Sequence, residues 1–246
     1  MKKNVSLILA SLMAGTFMVG CGNDGCETVA PPAPAPQFAG KFVDREVNGV
    51  DYKCGDRSGV TGKDINGNAK EAGYFGPCKV GDPVAFSVGK LKLGEIKDTK
   101  DFGTSAIVTP KDIAKSAAED NESIIKDIEQ KIAVTLQSMD DDGDPTNGIV
   151  IKEEVVQVLN DNIGESEVDL TDPDVTPEEV ESNAVEVVKK VAEEHPEIGN
   201  EMKPVTIEEA EEHLEETMKE VENGEIAPPP PPPQPVPEPT GAVGGN

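Results

Sequence analysis

An acidic stretch in the middle of the chain holds the side chains best suited to binding a metal ion. It reads SMDDDGDPTNGIVI, residues 138–151, and places Asp140, Asp141, Asp142 and Asp144 within five positions. Ca2+ takes six to eight oxygen ligands, and carboxylates are its usual protein ligands. The stretch lies between two segments of helical periodicity, so the sequence predicts a helix–loop–helix calcium site. An acidic turn without a metal, which only ends one helix and begins the next, is the alternative.

Two registers of the calcium loop can be compared. Beginning at Asp140 places Asp140, Asp142 and Asp144 at positions 1, 3 and 5, but an isoleucine at position 12. Beginning at Asp142 places Asp144 and Thr146 at positions 3 and 5 instead. Glu153 then occupies position 12, where a bidentate carboxylate belongs, although Thr146 is a weak ligand and an asparagine replaces the usual glycine. The predicted ligands are therefore Asp142, Asp144, Thr146 and Glu153, with Asp140 as a supporting charge.

The other residues that could do chemistry form no recognisable catalytic set. The chain has two histidines, His195 and His213, and both fall on predicted helices or at their ends. It has no sequence motif for haem attachment, for a zinc protease, for a serine hydrolase or for a phosphate-binding loop. Residues 64–68, DINGN, contain the Asn-Gly pair typical of a hairpin turn, and a second oxygen site there would lack a distant carboxylate. We therefore do not expect an enzyme.

The N-terminus has the pattern of a targeting segment. Residues 1–4, MKKN, form a short basic segment with two lysines, and an apolar run of about 15 residues follows from Val5 to Val19. A helix needs roughly 20 apolar residues to span a bilayer, so the run is too short. It leads into MVGC, residues 18–21, which resembles the lipobox of bacterial lipoproteins. The resemblance implies removal of residues 1–20 and lipidation of Cys21, which would anchor the chain to a membrane. An ordinary secretory signal is the alternative.

The cysteines fit an oxidising compartment of the cell envelope. Gly22, rather than an aspartate, follows the lipobox cysteine, which among lipoproteins implies the outer membrane, with the chain periplasmic or surface-exposed. Cys54 and Cys78 flank one compact region and are predicted to form a disulfide. Closing that loop would stabilise the fold by roughly 3 kcal/mol, whereas two buried free thiols are the alternative. Cys26 is then left free or pairs between molecules.

The charge is distributed unevenly along the chain and excludes one class of partner. The formal net charge is -26. Residues 1–110 carry 13 Lys/Arg and 12 Asp/Glu, whereas residues 111–246 carry 9 and 36. Nucleic-acid binding needs clustered basic side chains, so no nucleic-acid partner is expected. An acidic half of this kind attracts cations instead.

Composition and periodicity divide the mature chain into segments. Residues 21–37 form a Pro/Ala tether that should be extended. Residues 38–110 alternate short apolar segments with glycine-rich turns, which predicts a small antiparallel β-sandwich or half-barrel of five to seven strands. Residues 226–246 predict a proline-rich, disordered tail that acts as an exposed spacer. A ligand for a groove-type partner is the alternative function of this tail.

The sequence pattern of residues 111–225 predicts an acidic helical domain of about four helices in an irregular bundle. An apolar stripe runs from Ile125 to Met139, and a shorter one from Val155 to Ile163. Capping boxes at Thr176 and Thr206 open two further helices. The predicted fold class is therefore α+β, with the strands preceding the helices.

Two motifs resemble a region near the N-terminus of Gram-negative surface lipoproteins and adhesin-like proteins. The first runs from GVDYKC at residues 49–54, through VAFSVG, to KLKLGEI at residues 90–96. The second is LQSMDDDGDPTNGIVI, followed by VTIEEAEEHL, so the resemblance covers roughly residues 38–214. It implies a β module followed by a helical part and a role at the cell surface, and it implies no activity.

Together these features predict a non-enzymatic, lipid-anchored cell-envelope protein that displays a calcium-stabilised binding or adhesion module. Its partners would be the membrane, through the lipid on Cys21, and a protein or glycan at the surface. A structural or assembly subunit of a surface structure or filament is an alternative, with Cys26 or the proline tail contacting neighbours. An accessory hydrolase is a third hypothesis, and it would require a polar cleft.

Overall fold

The computed structural model describes residues 34–236. The predicted signal peptide, Cys21, Cys26 and most of the tether lie outside the described residues, as do residues 237–246. The strands are β1 (Gln37–Phe42), β2 (Val47–Asn48), β3 (Asp51–Cys54), β4 (Arg57–Val60), β5 (Tyr74–Lys79), β6 (Val84–Val88), β7 (Leu91–Ile96), β8 (Ser105–Val108), β9 (Ile149–Val150) and β10 (Val168–Asp169). The helices are α1 (Pro110–Ala118), α2 (Glu122–Ser138), α3 (Glu153–Ile163), α4 (Pro177–Glu194), α5 (Pro196–Gly199) and α6 (Ile207–Glu222).

The strands form three small sheets, none of which closes into a barrel within residues 34–236. A five-stranded sheet has the order β10-β7-β6-β3-β4, a three-stranded sheet has the order β5-β1-β8, and β2 pairs with β9. Aromatic contacts join the two larger sheets. Phe42 of β1 stacks on Phe86 of β6 with ring centroids 4.8 Å apart, and Phe75 of β5 meets Phe86 edge-on at 5.2 Å. The core of the β-rich part therefore lies between these sheets.

The predicted α+β class, with strands before helices, is confirmed. The sheets are not purely antiparallel, however, because β1 pairs in parallel with β8, β2 with β9, and β7 with β10. In each pair the second strand arrives after a long intervening segment, as a parallel connection requires. Residues 37–108 hold eight strands rather than the five to seven predicted there, and two further strands, β9 and β10, lie in the helical half; β2, β9 and β10 are only two residues long.

The four helices predicted from apolar periodicity correspond to α2, α3, α4 and α6. Capping boxes at Thr176 and Thr206 begin α4 and α6, as predicted. A third box, in which Thr109 and Asp112 exchange side-chain hydrogen bonds with backbone N–H groups, begins α1. The sequence does not predict this helix from its capping box, because the box has aspartate at the position where the motif usually has glutamate or glutamine. No helix in the described part of the chain is both long and apolar enough to cross a bilayer.

The strands and the helices share one hydrophobic core. Ile113 of α1 is fully buried, and α1 packs against β7. Val47 of β2 and Ile149 of β9 are directly paired and fully buried, which joins the N-terminal strands to the segment after α2. The predicted disulfide between Cys54 and Cys78 is confirmed, and both cysteines are buried in this core.

The proline segment, residues 226–236, packs on the body of the protein. Ile226, Pro229 and Pro232 are buried while the residues between them are exposed, which matches the three-residue period of a polyproline II helix. The backbone N–H of Gln37 donates to Oε1 of Gln234, and Nε2 of Gln234 donates to the Gln37 carbonyl, both at 2.9 Å. The expectation of a disordered tail from residue 226 is corrected for residues 226–236, because every third residue up to Pro232 is buried and Gln234 is hydrogen-bonded to Gln37.

Candidate metal centre

The acidic loop, residues 140–151, is fixed at both ends by secondary structure. Helix α2 ends just before it, where the N–H of Met139 donates to the carbonyls of Thr135 and Leu136. At the other end β9 pairs with β2, and α3 begins two residues after the loop. The predicted helix–loop–helix arrangement is therefore present. The strand pairing also holds the loop against the N-terminal part of the protein.

Asp140 is the central side chain of the loop. It is fully buried, at 0% exposure, directly after the buried end of α2. Its Oδ2 accepts a hydrogen bond from the N–H of Asp144 at 3.1 Å, and its Oδ1 accepts one from the N–H of Val150 at 2.9 Å. One carboxylate thus holds two distant parts of the loop together.

Asp140, Asp141 and Asp142 bring their carboxylate oxygens within 4.8 Å of one another. In residues 34–236 this is the one group of three or more His, Cys, Asp or Glu side chains with such spacing. Asp140 is buried, Asp141 is half-buried and Asp142 is exposed. Oδ2 of Asp141 also forms an ion pair with Nζ of Lys152 at 2.6 Å. The cluster could hold a metal ion, and its all-oxygen character suits a hard divalent cation.

The carboxylates of this cluster differ in their affinity for protons. Burial raises the pKa of Asp140 to about 7, and the neighbouring Asp142 adds to the rise, while the hydrogen bond from Val150 opposes it. In contrast, the Asn147 amide, which donates to Oδ2 at 3.0 Å, lowers the pKa of Asp142. Burial, and secondarily the like charges beside it, therefore leave Asp140 of the metal-free cluster protonated in about half of the molecules at pH 7. A bound cation would favour the fully ionised form.

Asp144 and Thr146 lie beside the cluster, whereas Glu153 does not join it. Oδ1 of Asp144 accepts hydrogen bonds from the N–H of Thr146 at 3.3 Å and from its hydroxyl at 2.7 Å. These bonds cap a short 3-10 turn over Pro145–Asn147. Glu153 is exposed in the first turn of α3. The structure therefore does not bring together the full ligand set that the register beginning at Asp142 predicts.

Asp141 is the cluster member that sequence reasoning misses. The calcium-loop register takes ligands from alternate positions, so Asp141 falls between two predicted ligands. The three aspartates converge instead because α2 has already ended and the chain turns tightly after Met139. The sequence does show one sign of this cluster, which is that the three aspartates are adjacent at the end of a predicted helix. The central role of Asp140 follows from its burial, which depends on distant strands and is not visible in the local sequence.

Gly143 lets a neighbouring segment approach the acidic loop closely. Its φ is +63°, in the left-handed region, and a Cβ there would lie 2.6 Å from the carbonyl oxygen of Glu201. It would also lie 2.9 Å from the backbone nitrogen of Lys203. The Lys203 ammonium contributes to the lowered pKa of Asp142. The chain leading into α6 therefore packs directly on the acidic loop.

The remaining sequence candidates have local structural roles. Oδ1 of Asp64 accepts hydrogen bonds from the N–H groups of Asn66 and Asn68, at 2.9 and 3.0 Å, which is the hairpin turn rather than an oxygen site. His195 ends α4, and its Nδ1 lies 3.6 Å from the carboxylate of Glu197. His213 lies elsewhere, on α6, so the two histidines are not part of one site.

Comparison with known proteins adds no relative. No protein-family model, no curated protein and no solved structure matches this chain.

Proposed function

We propose that this protein is a non-enzymatic, lipid-anchored protein of the cell envelope, whose α+β body is a calcium-stabilised binding or adhesion module. The signal-like N-terminus and the MVGC sequence at residues 18–21 support the lipid anchor. The disulfide between Cys54 and Cys78 supports an oxidising compartment, because such bonds are rare in proteins that stay in the cytosol. The resemblance to Gram-negative surface lipoproteins supports the outer membrane as its site.

The observation that carries the calcium proposal is the position of the Asp140–Asp142 cluster. It lies where α2 ends, where β2 pairs with β9, and where the segment before α6 packs on Gly143. A cation bound there would neutralise repulsion at the junction of these elements. It would also remove the need for a proton on Asp140. Ca2+ is favoured because the donors are oxygens and because the ion tolerates irregular geometry.

Thermal melting of the full chain, with Ca2+ and with a chelator, tests the calcium proposal. Ca2+ should raise the melting midpoint, because a ligand that binds the native state stabilises it by mass action. Asp142→Asn should reduce this rise, since it removes one charged ligand from the exposed side of the cluster and leaves the Asp140 carboxylate in place. Asp161→Asn, at an exposed position on α3, is the matched control and should respond as the unaltered chain does. Identical midpoints with Ca2+ and chelator would contradict the proposal.

Metabolic labelling with palmitate in a Gram-negative host tests the anchor. The unaltered chain should incorporate label and fractionate with the outer membrane. Cys21→Ser should abolish labelling, whereas Cys26→Ser, five residues further on, should leave it intact. Equal labelling of the Cys21→Ser chain would show that the lipobox resemblance is misleading. This experiment is independent of the calcium measurement.

A further inference from the structure

The proline segment completes one edge of the three-stranded sheet. Strand β8 lies at that edge and pairs with β1 from Ala39 onward, where the N–H of Ala39 donates to the Thr104 carbonyl at 3.3 Å. Backbone polar groups of alternate residues in a strand point to the same side, so those of Gln37 also point to the β8 side, ahead of its first residue. The side-chain amide of Gln234 fills this place, because it donates to the carbonyl of Gln37 and accepts from its N–H, both at 2.9 Å. An open sheet edge is a template for pairing with another chain, and Gln234 closes this one.

A second contact fixes the position of the segment along the sheet. The hydroxyl of Ser105, the first residue of β8, donates to the carbonyl of Pro229. Pro229 and Pro232 are buried, three residues apart as the turn of a polyproline II helix requires, and Gln234 follows two residues later. The surface that the segment covers between Ser105 and Gln37 is named here the proline site. It holds a polyproline II helix in one register, which is a common mode of peptide recognition.

Few interactions hold the segment in the proline site. Seven of residues 227–236 are prolines, which have no backbone N–H to donate, and a polyproline II helix has no internal hydrogen bonds. Three hydrogen bonds join residues 227–236 to the rest of the described chain, and the two at Gln37 are exposed to solvent. Ile226 is buried, yet it lies outside the hydrophobic core that the strands and helices share. The segment can therefore leave its site without unfolding the body.

The turn before the segment is suited to act as a hinge. Gly224 follows α6 with a φ of +75°, and no atom of another part of the described chain lies within 4 Å of the position that a Cβ would take. The N–H groups of Glu225 and Ile226 donate to the Glu220 carbonyl at 2.9 and 3.4 Å, and these bonds set the direction in which the segment leaves the helix. Rotation about the backbone of residues 223–225 would redirect the segment while α6 stays in place. Exchange of an identical element through a hinge is a low-cost route to dimers, because the same contacts form in both arrangements.

We propose that the proline site takes the proline segment of a second copy, so that two molecules join by exchanging residues 226–236. Gln234 of each copy then bonds to Gln37 of the other. The segment carries no charged residue, so its seating brings no like charges together. A tethered segment has a high effective concentration at its own site, so exchange requires crowded copies. Each chain has a net charge of -26, and salt that screens this repulsion favours exchange. The proposal depends neither on the calcium site nor on the lipid anchor.

Binding of a labelled peptide of residues 226–236 to the full chain tests the proline site. Pro229→Asp with Pro232→Asp, named here the open variant, places charges at the two buried positions and should release the segment. Pro230→Asp with Pro233→Asp, at exposed positions, is the matched control. The open variant should bind the peptide at least about tenfold more tightly than the control, because the tethered segment of the control fills its own site. A folded open variant that binds the peptide no better than the control would overturn the proposal.

A milder variant separates binding from folding. Gln234→Ala removes only the two exposed hydrogen bonds to Gln37, so the melting midpoint of the full chain should stay nearly unchanged. The same substitution should raise binding of the labelled peptide several-fold, because the segment of the variant chain is held less firmly. Unchanged peptide binding in this variant would contradict the proposal even where the open variant does not fold.

Capture of one copy by another tests the exchange itself. All chains carry Cys26→Ser, which excludes dimers linked through that cysteine. A tagged open variant should capture an untagged chain with an intact segment, and it should not capture an untagged open variant. Added salt should increase the capture, and excess peptide of residues 226–236 should abolish it. Absence of capture at every salt concentration would overturn the proposal. Equal competition by a peptide of prolines alone would overturn the assignment of the chain's own segment as the occupant.

Discussion

Asp140 and Val150, ten positions apart, are joined across the acidic loop. The N–H of Val150 donates to Oδ1 of Asp140 at 2.9 Å, and the carbonyl of Val150 accepts from the N–H of Asp141 at 3.1 Å. Because Val150 belongs to β9, these bonds connect the end of α2 to a strand pair that includes β2. The loop is therefore part of the tertiary structure rather than a solvated connection.

Asp140→Asn should destabilise the protein by about 1–2 kcal/mol, because the amide can accept only one of the two backbone hydrogen bonds that the carboxylate accepts. The NH2 group of the new asparagine would face the other backbone N–H, which is also a donor. Urea denaturation in the presence of a chelator measures the loss. Asp161→Asn, which changes an exposed carboxylate on α3, should stay within about 0.5 kcal/mol of the unaltered chain. Equal stability of the two variants would contradict the role given to Asp140.

The metal-free protein should lose stability as the pH rises from about 4 to about 7. The folded-state pKa of Asp140 is about 7, well above its ordinary value of 3.8, so in this range the native state binds a proton that the unfolded state does not. Stability falls with pH wherever the native state binds more protons. The difference between the unaltered chain and Asp140→Asn isolates this contribution from other titrating groups.

Calcium should reverse that trend. Because the cation competes with the proton on Asp140, its apparent affinity should increase through the same range and level off above about pH 7. Isothermal titration calorimetry at several pH values, with proton release measured in two buffers, checks this. Proton release that is absent at pH 6 would mean that the ion does not bind Asp140.

Lys131→Met should cost about 2–3 kcal/mol. Lys131 lies on α2 at 1% exposure, and its Nζ donates to the carbonyls of Asp172 and Val175, both at 3.0 Å. Methionine fills a similar volume but removes the buried ammonium and both of its hydrogen bonds; the Asp172 carbonyl keeps the N–H of Val175 as a donor, whereas the Val175 carbonyl loses its side-chain donor. Lys126→Met is the control, since Lys126 is on the same helix but forms an exposed ion pair with Glu211, and exposed ion pairs contribute little to stability. Chemical denaturation should therefore show a clearly larger loss of stability for Lys131→Met than for Lys126→Met.

Replacing both Cys54 and Cys78 by serine should destabilise the protein by about 3 kcal/mol or more. The disulfide closes a loop with a sequence separation of 24, and its loss frees the unfolded chain. The buried hydroxyls add to the cost. Cys26→Ser should leave stability unchanged under the same denaturation conditions. A double variant as stable as the parent would mean that the disulfide contributes nothing to the fold.

Local patterns in the sequence predict the helices better than the sheets. Thr176 and Thr206 reveal two helix starts because a capping box involves residues only three positions apart. The pairing of Val47 with Ile149 connects residues about a hundred positions apart, and no local pattern encodes it. Long-range pairing of this kind also explains why the parallel strand pairs were not anticipated.

In the candidate metal centre too, local sequence patterns predict one part of the structure and long-range contacts determine the rest. The acidic residues and the flanking helices are visible in the sequence, so the loop could be predicted. The burial of Asp140 depends on β2 and the end of α2, so its central role could not. Glu153 fits the loop register by counting, yet it lies exposed in the first turn of α3, and it is the neighbouring Lys152 that contacts the cluster, through Asp141.

The hydrogen bonds between Gln37 and Gln234 have a mechanical consequence. They bring the first strand and the end of the proline segment together, so the described chain enters and leaves its body at neighbouring points. A pulling force applied between residues 34 and 236 would therefore first stretch these two bonds and peel away the proline segment. The sheets and helices behind them would carry tension only after that segment had come off.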